Sequence, residues 1–196
     1  PTISVAIDDG GDGRLNAAED SSASISGVTS GAPDGQTVAL NISSSGGGTP
    51  INTTATVSSN RYSLSNLDLS SLDDGTLTIT ADVSDLAGNA ATQASTSTTK
   101  DSSSPTISVA IDDGGDGRLN AAEDSSASIS GVTSGVEDDQ TVSISITDGS
   151  NTVTTSARIA SNAYSVTGLD LSSLNDGTLT ITADVSDLAG NSATQA

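Results

Sequence analysis

The stretch Asp8 to Glu19 (DDGGDGRLNAAE) gathers the residues of this sequence best suited to chemistry, and it recurs unchanged from Asp112 to Glu123. Counting Asp8 as position one, Asp12 is five, Gly13 six, Arg14 seven, Asn16 nine and Glu19 twelve. That is calcium-loop spacing, with oxygen ligands expected at one, three, five, seven, nine and twelve and glycine at six. Calcium takes about six to eight hard oxygens, a glycine permits the sharp turn, and a distant glutamate closes the shell with both oxygens. Arg14 would offer its backbone carbonyl, so its charge matters less. Position three is Gly10, one side-chain ligand fewer, and Asp9 is the candidate to compensate. The copies are Asp112, Asp113, Asp116, Arg118, Asn120 and Glu123. The plainer alternative is an Asp/Gly-rich solvated turn.

A second acidic turn, Asp82 to Asn89 (DVSDLAGN), brings Asp82, Asp85 and Asn89 together, and Asp187 is the second copy of Asp85. Aspartate at a tight turn caps local backbone as readily as it binds metal, so both readings stand. One copy has Asp73 where the other has Asn175, which suggests that charge is dispensable at this position. Asn41 and Asn52 begin glycosylation sequons, read as chance in a Ser/Thr-rich chain.

The residues that are missing narrow the function classes. The 196-residue chain has no His, Cys, Met, Trp or Phe and only two Tyr. Without cysteine there are no disulfides, thiolate nucleophiles or zinc–sulfur sites. Without histidine there is no hydrolase triad of the usual kind. A net charge of -20 opposes nucleic-acid binding, which needs a basic footprint. No apolar run is long enough for membrane insertion. Calcium is the expected cofactor, and nothing points to an enzyme.

Positioning these residues falls to an internal repeat. Pro1 to Gly31 recurs without change as Pro105 to Gly135, and Leu67 to Ala94 recurs as Leu169 to Ala196 with two exchanges. A period near 100 residues is too long for a solenoid and suits one small sandwich domain. The expected domains are 1–100 and 105–196, with 101–104 as linker inside a Ser/Thr-rich stretch from Ser95 to Ser104. The sequence reads as a monomeric piece of a longer array, its partners being neighbouring repeats of the same chain.

Within the first repeat, period-two alternation predicts strands at Ile3–Ile7, Ala23–Val28, Val38–Ile42, Ile51–Val57, Tyr62–Leu64 and Leu77–Val83, with a weaker seventh at Ala91–Thr99. Leu67 to Leu72 reads as one helical turn. About seven short strands per repeat argue for an all-β fold of two tandem immunoglobulin-like Greek-key sandwiches. Alternating strand directions gather Asp8, Asp9, Asp12, Glu19, Asp68, Asp73 and Asp74 at the C-terminal pole, near Asp101. Two carboxylates ~5 Å apart repel by roughly 3 kcal/mol at an effective dielectric near 20, so a divalent cation is the expected counterweight.

The segments ISVAIDDGGDGRLNAAE, DGTLTITADVSDLAGN and KDSSSPTISV together resemble the bacterial Ig-like extender repeats of large RTX adhesins. The resemblance covers both repeats. It implies calcium-stabilised sandwiches arrayed head to tail as an extracellular stalk on the bacterial surface, with calcium in loops and at junctions. Carried over by position, Asp101 is the linker ligand; Asp8, Asp12 and Glu19, with Asp112, Asp116 and Glu123, are loop ligands. Family linkers often read DTTAP; here the middle departs, as DSSSP. The leading functional expectation is a calcium-rigidified spacer that projects a distal adhesive region for attachment or biofilm formation. The alternative is a glycan- or protein-binding adhesion module, whose specificity residues would fall between Ala32 and Ser65, a segment that is mostly Ser, Thr, Gly and Asn.

Overall fold

The computed structural model describes every residue from Pro1 to Ala196, and the chain forms two compact units, Pro1–Ser103 and Ser104–Ala196. In the first, β1 (Thr2–Ile3) and β2 (Ala6–Asp8) are two pieces of one edge strand, both antiparallel to β4 (Ala23–Ser30). The other edge of β4 carries β7 (Arg61–Leu67). The facing sheet runs in the order β3 (Arg14–Leu15), β9 (Ala94–Lys100), β8 (Gly75–Asp82), β5 (Thr37–Ser44), β6 (Ile51–Thr56). The chain changes sheet between β4 and β5, between β6 and β7, and again between β7 and β8. That is immunoglobulin-like sandwich topology.

The alternating residues fill the space between the sheets. Ile25 and Tyr62 from one side meet Val38, Leu40, Ile42, Leu77, Ile79 and Ala81 from the other, all buried. The domain's one aromatic ring has a place because Gly27 lies beneath it: a Cβ there would stand 2.6 Å from the Tyr62 ring and 2.0 Å from the Ser4 carbonyl oxygen. The Tyr62 hydroxyl donates to that same carbonyl at 2.6 Å, at the break between β1 and β2. Burial pushes the Tyr62 phenol up to about 12.

Three segments differ from the sequence expectation. The acidic loop is interrupted by β3, which crosses to the second sheet, pairs in parallel with β9 and drops Leu15 fully into the core. Leu67 to Leu72 is not helical; Leu67 ends β7 and the chain then turns, pinned by the Leu69 amide on the Asp20 carbonyl (2.7 Å), with Leu69 and Leu72 both buried. The helical element is instead a short 3-10 turn at Asp20–Ser22. Ser95–Lys100, read both as weak strand and as linker, is strand throughout. It lacks large apolar side chains, and backbone pairing with β8 holds it in place.

The second unit repeats the plan with β10 (Thr106–Ile107), β11 (Ala110–Asp112), β12 (Ala127–Ser134), β13 (Thr141–Thr147), β14 (Thr152–Arg158), β15 (Ala163–Leu169) and β16 (Thr180–Asp184). One sheet joins β10 and β11 to β12, and β12 to β15; the other runs β14, β13, β16. The Tyr164 hydroxyl donates to the Ser108 carbonyl at 2.6 Å, as in the first unit. Six of the seven expected strands are present. At Arg118–Leu119, the counterpart of β3, no strand is assigned.

Candidate metal centre

The loop after β2 is shaped by its own acids. Asp8 accepts from the Gly10 amide at 3.3 Å, Asp9 from Gly11 at 3.2 Å and Asp12 from Arg14 at 2.9 Å. Each is an Asp side chain bonding the backbone two residues on, the local turn that Asp favours. Asn16 and Glu19 form a reciprocal capping box: the Glu19 amide donates to Asn16 Oδ1 at 3.1 Å, and the Asn16 amide donates to Glu19 Oε2 at 3.0 Å. This box closes the turn over 17–19 that leads into the 3-10 turn.

Glu19 has a second oxygen, and it lies over Gly10. A Cβ at Gly10 would stand 2.8 Å from Glu19 Oε1, and Gly10 sits at φ +69°, where side chains are disfavoured. Position three of the loop is therefore glycine because the carboxylate of position twelve folds over it. Asp8, Gly10 and Glu19 line one hollow of about 200 Å³ together with Ser22, Ala23 and Ser24.

The remaining candidates point elsewhere. Asp9 turns its other oxygen toward β9, where Thr98 Oγ1 donates at 3.1 Å. The Gly13 and Leu15 carbonyls accept from Thr99 and Asp101 amides at 3.3 and 3.0 Å, so strand alternation turns the Arg14 carbonyl away from β9. Asp101 thereby extends the pairing of β3, and its side chain accepts from the Ser103 amide at 3.2 Å. Asp82 accepts from Gln93 Nε2 at 2.8 Å. Asp85 takes both the Ala87 and Asn89 amides at 2.9 Å and the Asn89 side chain at 2.9 Å. The Asn89 bonds hold the Asp85 carboxyl below its usual range. Asp187 binds Asn191 in the same two ways, each at 2.9 Å. Both turns are capped from within.

The second acidic loop reproduces the first. Asp112, Asp113 and Asp116 accept from Gly114, Gly115 and Arg118 amides at 3.2, 2.9 and 2.9 Å, and the Asn120 amide reaches Glu123 Oε2 at 2.9 Å. A Cβ on Gly114 would stand 3.0 Å from Glu123 Oε1. Nowhere do three or more acidic side chains converge closely enough to form a metal site by themselves. The donors on hand, carboxylate, amide and carbonyl oxygens without thiol or imidazole, suit a hard cation such as calcium, and Asp8 with Glu19 is the pair that shares a hollow.

Sequence reasoning missed how the first unit compensates its acidic pole. Lys100 is the chain's sole lysine. It is 3% exposed, and its ammonium sits 2.9 Å from buried Asp20 and 3.9 Å from Asp74 while donating to the Leu72 carbonyl. Asp74 also accepts from Ser102 and Ser103 hydroxyls at 2.8 and 2.9 Å. Partial burial raises its pKa, but those bonds and Lys100 more than offset this, leaving the carboxyl below its usual range. The signal was present: a lone lysine ending an alternating hydroxyl run.

The exchange of Asp73 for Asn175 also reads differently in three dimensions. The facing loop of the second unit has gained Asp148, whose Oδ2 accepts from the Asn175 amide at 2.6 Å and its side chain at 2.9 Å. The charge is relocated across the loop pair, and the exchanged residue has become its donor. Bonds from Asn151 and Asn175 hold the Asp148 carboxyl far below its usual range.

No protein-family model and no curated relative matches the chain. Solved structures do. Over its whole length the chain superposes on a Ca2+-stabilised adhesin that helps an Antarctic bacterium reach out and bind ice, with TM-score 0.62 and 26% identity, spanning 47% of that chain. The chain resembles the repeats of large adhesins. A 1.5-MDa bacterial ice-binding adhesin matches 99% of it at 27% identity and TM-score 0.54, over 63% of that chain. A tetra-tandem repeat from the extending region of a large adhesion protein is 32% identical over all of it, with TM-score 0.46, over 48% of that chain. The chain thus spans about half the length of two of these structures and under two thirds of the third. No helix is long and apolar enough to cross a membrane.

Proposed function

We propose that this chain is a pair of non-catalytic spacer repeats from the stalk of a bacterial surface adhesin, working outside the cell, and that calcium stiffens it. The stalk would project a distal adhesive region for attachment or biofilm formation. The observation that carries this reading is the full-length match to a Ca2+-stabilised adhesin. Asp8 and Glu19, with Asp112 and Glu123 in the second repeat, would hold an ion from two sides of the hollow. Asp9, Asp12 and Asn16, the Arg14 carbonyl and their copies Asp113, Asp116, Asn120 and Arg118 are the supporting donors. Asp101 is the proposed ligand beyond β9. Asp82, Asp85 and Asp187 are weaker candidates, since each accepts a side-chain amide, from Gln93, Asn89 and Asn191.

Extracellular calcium modules bind at about 10⁻⁴ to 10⁻³ M, and one site at 100-fold saturation adds about 2.7 kcal/mol of stability. Thermal melts in millimolar calcium and in EDTA test this: calcium raises the midpoint, and equal midpoints would overturn the reading. Calorimetric titration localises the effect. Glu19→Ala and Glu123→Ala should each weaken binding more than Asp34→Ala, because Asp34 only caps the Ser59 amide, at 2.7 Å. Small-angle scattering should narrow its distance distribution with calcium, and Asp101→Ala should reduce that narrowing.

A further inference from the structure

Three exchanges between the repeats meet at one place in the second unit. Asp139 stands where the first repeat has Gly35, Ser143 where it has Ala39, and Ser192 where it has Ala90. Each replaces a residue without a polar side chain by one that makes hydrogen bonds. All three line a single hollow of about 360 Å³, together with Thr141, Asp184 and Ser186.

The sheet sets the spacing of these groups. Strands β13 and β16 run side by side, with Ser143 opposite Asp184, and Thr141 lies two residues before Ser143 on the same face. Asp184 is oriented by the Gln195 side-chain amide, at 3.0 and 2.8 Å from its two oxygens. The Ser186 and Ser192 hydroxyls meet at 3.0 Å across an isolated bridge; the matching bridge in the first unit joins Ser84 to Ala90 and has one hydroxyl. Asp139 sits at φ +70°, a conformation that favours glycine, yet it carries a carboxylate there. Its carbonyl accepts from Arg158 Nη1 at 2.6 Å, and Arg158 is itself an exchange, from Thr56. The guanidinium braces the turn that presents the Asp139 carboxylate. Asp139, Thr141, Ser143, Asp184 and Ser192 are all exposed.

We propose that this hollow binds a neutral saccharide. Carboxylates accept from sugar hydroxyls, and serine and threonine hydroxyls both donate and accept, as a polyol requires. Two carboxylates on a chain of net charge -20 turn away anionic ligands. Only Val185 and Ala193 add apolar surface, enough to meet one sugar face and too little for an apolar ligand. A metal ion takes acceptors alone, whereas this lining mixes donors with acceptors and already ties Asp184 to an amide donor. The first unit, with Gly35, Ala39 and Ala90 at the same positions, lacks the site. The proposal rests neither on calcium nor on the spacer role.

The test is an NMR titration of the full chain, in EDTA, with the methyl glycosides of glucose, galactose, mannose and glucuronic acid. At least one neutral glycoside should shift the amides of Asp139–Ser143 and Asp184–Ser192 while those of Gly35–Ala39 and Asp82–Ala90 stay in place. With no aromatic ring to stack on, the Kd falls in the millimolar range. Restoring the first-unit residues together, as Asp139→Gly, Ser143→Ala and Ser192→Ala, should weaken binding at least about tenfold through the lost hydrogen bonds. The first unit folds with those residues, so the fold is kept. No shift with any neutral glycoside, equal shifts in the first unit, or unchanged affinity in the triple variant would overturn the site. Tighter binding of the glucuronide would overturn its preference for a neutral sugar.

Discussion

Pro1–Gly31 and Pro105–Gly135 are identical, yet they pack differently. In the first unit Leu15 and Asp20 are sealed into the core; in the second, Leu119 and Asp124 remain half-buried. In the first unit β9 pairs with the strand that carries Leu15, and its terminal lysine pairs with Asp20. The acidic loop folds into the same capped turns in both places because its hydrogen bonds are local. The packing of Leu15 and Asp20 depends on a distant strand. Local sequence sets the shape of this loop, and in the first unit β9 and Lys100 hold it against the core.

The sharpest way to break the comparison is Lys100→Ala. It leaves Asp20 buried without a counter-charge, and breaking a buried pair costs about 3–5 kcal/mol. Chemical denaturation should show the first unit losing this stability with the second unchanged, and replacing the pair as Lys100→Met with Asp20→Leu should recover most of the loss. A cavity probe comes next: Leu15→Ala should cost about 2–5 kcal/mol, and Leu119→Ala, at a half-buried site, less than half as much in the same assay. A smaller effect is expected at the exchanged loop pair. Asn175→Asp removes the side-chain donor to Asp148, leaves the backbone amide, and adds a like charge, so the second unit weakens at neutral pH. Because native Asp148 has a depressed pKa, its contribution is present above the ordinary carboxylate range and fades as pH falls through the folded value. Carboxyl NMR titration should find that Asn175→Asp moves Asp148 upward.

The smallest effect is alkaline. With Tyr62 pushed up to about 12 and Tyr164 raised as well, the neutral phenol is favoured in the fold. The stability this gives is full below the unfolded value near 10 and is lost as pH rises through about 12. Absorbance near 295 nm should stay flat through about pH 10 in the native protein and rise there in denaturant.

Most of the sandwich was legible, because Leu77, Ile79 and Ala81 or Val38, Leu40 and Ile42 alternate strictly and alternation has one physical reading. Ser95–Lys100 was ambiguous for the same reason in reverse: hydroxyl residues satisfy a strand edge and a linker equally well, and only pairing decides. Strand β3 was hidden because two residues carry no period. The candidate site was legible in its composition and not in its wiring. Glu19 was singled out for its place at position twelve, but that its two oxygens divide between the Asn16 amide and the space over Gly10 is a matter of backbone path. The relocation of charge from Asp73 to Asp148 needed two loops seen side by side.

The burial of the chain's one lysine has a consequence for chemical labelling. Amine-directed reagents meet Lys100, the one lysine of this sequence, sealed inside the folded first unit. Lys100 becomes reactive only when β9, which carries it, detaches, so its rate of acylation reports directly how often the first unit opens. A lysine-specific protease has the same single target. The folded first unit would resist both, and cutting or tagging at this one position would mark the molecules in which that unit had come apart.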